Sequence, residues 1–221
     1  MTTTSDLIDS LARNAGPVRR LRSPLRRGFL FLAAVIGVVL LATLVTDTWP
    51  AMIVRLQDGR FAIEMIATAL TGVAAILAAF CISIPGWGRF WMFLPIPPLA
   101  IWLGASGYGC YRNWFVYGAD GSLALGQSAD CFIFILTASV PTAIALFFVL
   151  RRARPLNSIP VMAIGALGVA GLAAAALQFF HPFDVTVTDL ALHAAAVALV
   201  VALATILGAP RLGAPQRKRL T

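Results

Sequence analysis

The sequence predicts an all-α, polytopic membrane protein, a bundle of six transmembrane helices with both termini in the cytoplasm. Three observations support this fold class. Hydrophobic residues make up 60 % of the 221-residue chain and charged residues only 12 %, whereas a typical soluble domain carries roughly 25 % charge. The apolar residues fall into six long stretches, and most Lys and Arg residues lie in alternate gaps between them. A soluble core is therefore excluded.

Each stretch is close to the ~20 residues that a helix needs to cross a ~30 Å hydrocarbon layer. The stretches are residues 28–46, 61–84, 90–107, 131–150, 158–180 and 188–208. They divide the chain into a cytoplasmic segment (1–27), a transmembrane domain (28–208) and a basic cytoplasmic tail (209–221).

The charge distribution predicts the orientation. The N-terminal segment, the tail and alternate gaps hold every Lys and Arg except Arg55, Arg60 and Arg112. By the positive-inside rule, both termini are expected in the cytoplasm. The net charge of +8 is then a topology signal, and we expect no nucleic-acid binding.

The membrane stretches carry few functional signals. Ionisable residues, which mark ion and substrate pathways, are missing from the predicted midplane, and Glu64 lies one turn from Arg60 as a predicted rim ion pair. Pro95, Pro97 and Pro98 should kink or unwind the third helix. Small residues, including Gly72, Gly165, Gly168 and Gly171, predict close helix packing. We find no motif of an enzyme and expect neither catalysis nor a resident cofactor.

The three cysteines differ in what they predict. Cys81 is expected to be a small buried hydrophobe. Cys110 and Cys131 bracket the longest outer loop, so they can form a static disulfide or act as a sensor of oxidants or thiophilic metals. His181 and His193 are both predicted on the outer side, where an imidazole could complete a transient metal site.

The N-terminal segment predicts a short recognition helix. Thr4 or Ser5 can cap it, Asp6 and Asp9 suit its positive end, and Leu7, Ile8 and Leu11 form an apolar stripe. Gly16 and Pro17 should end it. The basic stretch 17–27 is expected to bind anionic lipid, while Val18 and Leu21 can continue the apolar surface.

Ordered fragments along most of the chain carry a specific resemblance. They are Asp6-Leu7-Ile8-(x)2-Leu11-Ala12, Pro17-Val18-(x)2-Leu21-(x)2-Pro24-(x)-Arg26-Arg27, Leu70-Thr71-Gly72, Ser83-Ile84-Pro85-Gly86, Gly109-Cys110, Asp130-Cys131 and His181-Pro182. In order and spacing, this set resembles the NrsF-type integral-membrane anti-sigma factors of bacteria.

The resemblance implies a negative regulator of an extracytoplasmic-function sigma factor, located in the bacterial inner membrane. Its N-terminal segment would hold the sigma factor at the membrane through Asp6, Leu7, Ile8, Leu11, Pro17, Val18 and Leu21. Cys110 and Cys131 would sense heavy-metal or oxidative stress. The HxxxCxxC zinc motif of soluble anti-sigma domains is missing from this sequence, so that zinc mechanism does not transfer. A small transporter and a structural subunit of a membrane complex are the alternatives.

Overall fold

The computed structural model describes residues 3–14, 21–117, 125–180 and 187–213. Within these ranges it contains eight α-helices and no strand, which confirms the all-α prediction. The helices are α1 (Thr4–Asn14), α2 (Pro24–Val45), α3 (Trp49–Arg55), α4 (Gly59–Ile82), α5 (Ile96–Tyr117), α6 (Leu125–Arg151), α7 (Ser158–Phe180) and α8 (Val187–Gly213), with a 3₁₀ turn at Arg89–Phe93.

Six segments of the described chain are long and apolar enough to cross a membrane, as the sequence predicts. They are Pro24–Val45, Gly59–Ile82, Arg89–Gly109, Asp130–Arg151, Ser158–Phe180 and Leu190–Leu212. We call the end of the bundle at which α2 begins and α8 ends the near end. The far end is the end at which α2 ends and α4 begins.

The third span is locally unwound, as its prolines predict, but near its start rather than in the middle of a helix. Its break lies at Leu94 and Pro95, between the 3₁₀ turn and the start of α5, and Pro97 and Pro98 occupy the first turn of α5. The first turn tolerates proline because its N–H groups have no partner within the helix. The prolines therefore start a helix at the near end, and α5 runs on past Gly107 to Tyr117.

The short helix α3 is an element that the sequence reasoning missed. It packs on the far end of α7, where the rings of Trp49 and Phe179 lie 5.5 Å apart in an edge-to-face contact. Arg55 Nη1 donates to the Gln178 carbonyl oxygen at 3.1 Å, and its guanidinium lies 4.0 Å from the centre of the Phe61 ring. These contacts join the α2–α4 connection to α7.

The tightest helix pair is α4 with α7, and small residues make it possible. A Cβ on Gly168 would lie 2.8 Å from the backbone nitrogen of Ile76, and one on Gly72 would lie 2.8 Å from that of Leu172. The predicted close packing is confirmed. Helices α6 and α8 pack on α7 and on each other, whereas α2 and α5 pack chiefly on α4. Helix α4 thus connects the two peripheral helices.

Candidate functional site

The described N-terminal helix presents an unburied apolar stripe. Leu7, Ile8 and Leu11 are 56 %, 60 % and 64 % exposed, and α1 has no buried residue. Their spacing places them on one face of the helix. A helix of 11 residues is marginal in water by itself, so an apolar face of this kind favours a partner that covers it.

The start of α1 is capped one residue earlier than predicted, by Thr3 rather than by Thr4 or Ser5. Asp6 accepts from the Thr3 hydroxyl at 2.6 Å and from the Thr3 backbone N–H at 3.0 Å. In return, the Asp6 N–H donates to the Thr3 hydroxyl at 3.3 Å, which completes a capping box. The hydrogen bonds from Thr3 hold the pKa of Asp6 below its ordinary value. The capping box gives Asp6 a structural role at the start of α1. Asp6 lies on a different face of the helix from the Leu7–Leu11 stripe.

The remaining members of the predicted docking segment are only partly described. Leu21 precedes α2 and is exposed, as a docking residue needs to be. Pro17 and Val18 lie outside the described residues.

At the near end, the first turn of α2 is anchored to α4 and α6. A Cβ on Gly28 would lie 2.9 Å from Leu77 and 3.3 Å from Phe80, so α2 approaches these side chains of α4 closely at this glycine. Arg27 donates from Nη2 to the Val149 carbonyl oxygen of α6, and its guanidinium lies 5.4 Å from the Phe80 ring centre. The point from which the N-terminal segment leaves the membrane is thus held by α4.

At the far end, the same helix α4 meets α5 at a glycine. Glu64 is 8 % exposed, and its Oε1 lies 3.4 Å from the Cβ position of Gly109, with Arg60 Nη1 at 3.6 Å. A carboxylate and a guanidinium of α4 therefore pack on the surface of α5 directly before Cys110. Glu64 is more deeply buried than the predicted rim pair required.

Cys110 and Cys131, both toward the far end, lie within helices rather than at their ends. Cys110 belongs to α5, which continues to Tyr117, and its side chain lies outside the described part of the structure. Cys131 lies almost two turns inside α6. Its thiol is 1 % exposed in a cluster with Ile135 of the same helix, Ala174 and Leu177 of α7 and Ala196 of α8. Cys81 is fully buried close to the near end of α4, as predicted.

His193 faces the interior of the bundle. It lines a small cavity of about 30 Å³ together with Thr68 and Thr71 of α4 and Trp102 of α5, which is room for about one or two water molecules. Among the described residues, no group of three or more His, Cys, Asp or Glu side chains could hold a metal ion. His181 lies outside the described residues, so the predicted set of Cys110, Cys131, His181 and His193 stays a prediction.

Two residues that contact the ends of α4, Arg27 of α2 and Gly109 of α5, were not predicted as functional. Arg27 is one of six arginines before the first membrane stretch, and nothing local separates it from its neighbours. For Gly109, the sequence contains one weak signal, because the Gly109-Cys110 pair is among the fragments that carry the family resemblance. That pair does not indicate a contact with Glu64. Both contacts depend on helix packing, which the sequence pattern alone does not determine.

The chain matches the family model described as "Negative regulator of sigma F" over residues 11–213. No curated protein and no solved structure gives a significant match. An all-helical bundle with six candidate membrane spans, together with this match, defines the class as multi-pass membrane regulators of transcription. The chain belongs to the NrsF family, the negative regulators of sigma F, and its partner is a sigma factor. The match begins at Leu11, so the first ten residues lie outside it.

Proposed function

We propose that this protein is an anti-sigma factor of the bacterial inner membrane that sequesters an extracytoplasmic-function sigma factor through its N-terminal segment. Oxidative or heavy-metal stress at Cys110 and Cys131 then releases the sigma factor. The observation that carries the proposal is the apolar stripe of α1, which is exposed in a chain that belongs to a family of sigma-factor regulators. Sequestration of this kind is stoichiometric and requires neither catalysis nor a resident cofactor.

The docking surface is the stripe of Leu7, Ile8 and Leu11, extended by Val18 and Leu21. An amphipathic helix that lays its apolar face into a groove is a common mode of protein recognition. The arginines of the segment are poorly suited to a sigma factor, because DNA-binding surfaces are basic and like charges repel. In this proposal the near end of the bundle faces the cytoplasm, where its arginines bind anionic lipid and leave α1 to bind the protein.

The signal passes along α4. Gly109 packs on Glu64 at the far end, and Gly28 packs on Leu77 and Phe80 at the near end. Glu64 and Phe80 are 16 positions apart in one helix, which is about 24 Å at 1.5 Å per residue. A displacement of α5 at Cys110 is thereby coupled to the turn of α2 that precedes the membrane. The two cysteines therefore influence the sigma-binding segment through α4, the helix that both α2 and α5 contact.

The energy required sets a condition on the signal. A change from 1:99 to 99:1 between bound and released states needs about 5.5 kcal/mol of differential free energy. A disulfide between Cys110 and Cys131 supplies this difference through the strain that its closure places on one packing of the helices, because the ~3 kcal/mol of loop-closure entropy for about 20 residues acts on the unfolded chain. Because Cys131 is 1 % exposed, reaction with a dissolved oxidant or metal also requires local opening of α6, and this opening couples chemistry to conformation.

The test of the docking surface is co-purification of the sigma factor with the membrane-inserted protein. Leu7→Asp and Leu11→Asp should each release the sigma factor without changing membrane insertion, because each places a charge in the apolar contact. The matched control is Ser10→Asp, which adds the same charge to α1 off the stripe. Undiminished co-purification with both leucine variants, or equal loss with Ser10→Asp, would contradict the proposed surface.

A further inference from the structure

A long apolar groove lies between α6 and α8. Its volume is about 480 Å³. Its walls include Phe147 and Phe148 of α6 and Val200 and Ala204 of α8, together with Met162 of α7. The proposed sigma-factor regulation does not use this groove, which lies within the membrane-spanning segments.

The length of the groove matches one leaflet of a bilayer. Along α8 its lining runs from Val200 to Arg211, a rise of about 16.5 Å at 1.5 Å per residue. Along α6 it runs from Leu136 to Phe148, about 18 Å by the same rise. Half of a ~30 Å hydrocarbon layer is ~15 Å. The groove therefore occupies the leaflet at the near end and ends close to the midplane.

A cation lies where this groove reaches the membrane surface. Arg211 is exposed in the last turn of α8 and lines the near end of the groove. At this depth a guanidinium meets the phosphate and ester groups of lipids, and Arg side chains extend to that level while their aliphatic parts stay in apolar surroundings. The groove thus combines an apolar slot of leaflet length with the guanidinium of Arg211 at its mouth, where Nη1 donates to the Leu207 carbonyl oxygen.

We propose that this groove binds one acyl chain of an anionic phospholipid, whose phosphate lies against Arg211. The chain fills the slot between α6 and α8, and the headgroup interacts with the guanidinium at the near end. A lipid held in this way fills the space between two helices that also pack on α7. It is a bound component of the bundle, unlike the lipids that exchange freely around it.

Lipid retention measured by native mass spectrometry tests the proposal. The full-length protein is taken from nanodiscs of equal parts phosphatidylglycerol and phosphatidylcholine and stripped stepwise with detergent. One phosphatidylglycerol should remain on the wild type. Arg211→Gln should lower the preference for phosphatidylglycerol over phosphatidylcholine by about fivefold. Ala204→Phe, which fills the slot, should abolish retention of both lipids.

Matched variants distinguish a bound lipid from general lipid contact. Ala202→Phe adds the same ring to α8 outside the groove, and Arg89→Gln removes an exposed near-end charge beside α5; both should retain the lipid as the wild type does. If Ala204→Phe fails to fold, Ala143→Phe fills the slot from α6 instead. Equal loss in Ala202→Phe would identify freely exchanging lipid. Loss of a protein dimer in Ala204→Phe, with no retained lipid in the wild type, would assign the groove to a second copy of the chain. Either result overturns the proposal.

Discussion

Thr3 and Asp6 determine where α1 begins. Their reciprocal hydrogen bonds satisfy N–H groups that have no partner within the helix. From the sequence, Thr4 or Ser5 is expected as the cap, and Thr3, which precedes both, suits the position chemically as well. The partner three residues later decides among them, because only Thr3 has Asp6 at that spacing. The apolar stripe of Leu7, Ile8 and Leu11 is predicted by the residue pattern and does not depend on which residue caps the helix.

This cap predicts a pH dependence for α1. The pKa of Asp6 is lowered by its hydrogen bonds with Thr3, so its ionised form stabilises the folded helix. That contribution is complete above the ordinary Asp pKa of about 3.9 and is lost as the pH falls through the lower folded-state value. An NMR titration of the Asp6 carboxyl carbon, in the full-length protein in nanodiscs, should therefore give a midpoint below about 3.9.

The matched variants for this titration are Thr3→Ala and Thr4→Ala. Thr3→Ala removes the hydroxyl that bonds Asp6, so it should raise the midpoint and speed amide exchange across residues 4–14 severalfold. Thr4→Ala should leave the midpoint unchanged. An Asp6 midpoint that is the same in the wild type and in Thr3→Ala would contradict the cap.

Helix α4 connects the parts of the molecule that sense and bind in the proposed function. It packs against α7 along small residues, and it contacts α5 at the far end and α2 at the near end. The sequence pattern predicts α4 as a membrane span and Gly72 as a packing position, since hydropathy and residue size are local properties. It does not predict that α2 and α5 share α4 as their main neighbour, because that depends on how the helices are arranged.

Gly109→Leu tests the contact at the far end of α4. A side chain at this position would extend from a point 3.4 Å from Glu64 Oε1 and should push α5 away from α4. Overpacking costs about 1–3 kcal/mol, and ~1.4 kcal/mol changes an equilibrium tenfold. We expect the variant to raise the basal activity of the sigma-dependent promoter by about tenfold, measured with a reporter gene in unstressed cells.

Gly104→Leu is the matched control, because nothing lies within 4 Å of a Cβ at Gly104 in the same helix. It should leave the basal reporter activity and the membrane level of the protein unchanged. Wild-type reporter activity in Gly109→Leu, at equal protein level, would show that the α4–α5 contact does not carry the signal.

At the scale of the whole molecule, the proposed function places the two active regions on opposite sides of the membrane. Cys110 and Cys131 lie toward the far end, and α1 precedes the near end. Any coupling must therefore cross the bundle through packed helices. The small-residue contact of α4 with α7 suits this role, because a close-packed interface shifts as a unit.

The cysteines provide the test at this scale. The double variant Cys110→Ser, Cys131→Ser should lose induction of the sigma-dependent reporter by dichromate, cadmium and peroxide while it retains sigma-factor binding in unstressed cells. Cys81→Ser is the matched control, since Cys81 is buried near the opposite end of α4, and it should respond as the wild type does. Normal induction in the double variant would remove the sensor role from these cysteines.

The sequence by itself determined the six membrane spans, the exposed stripe of Leu7, Ile8 and Leu11, and the family resemblance that the family match confirms. These are properties of neighbouring residues, so hydropathy, helical periodicity and motif order are sufficient to predict them. Only the tertiary structure decided that α3 packs on α7, that Arg27 and Gly28 anchor α2, that Gly109 packs on Glu64, and that α6 and α8 enclose a groove. Each of these depends on residues distant in the chain, and hydropathy does not specify which apolar helix packs on which.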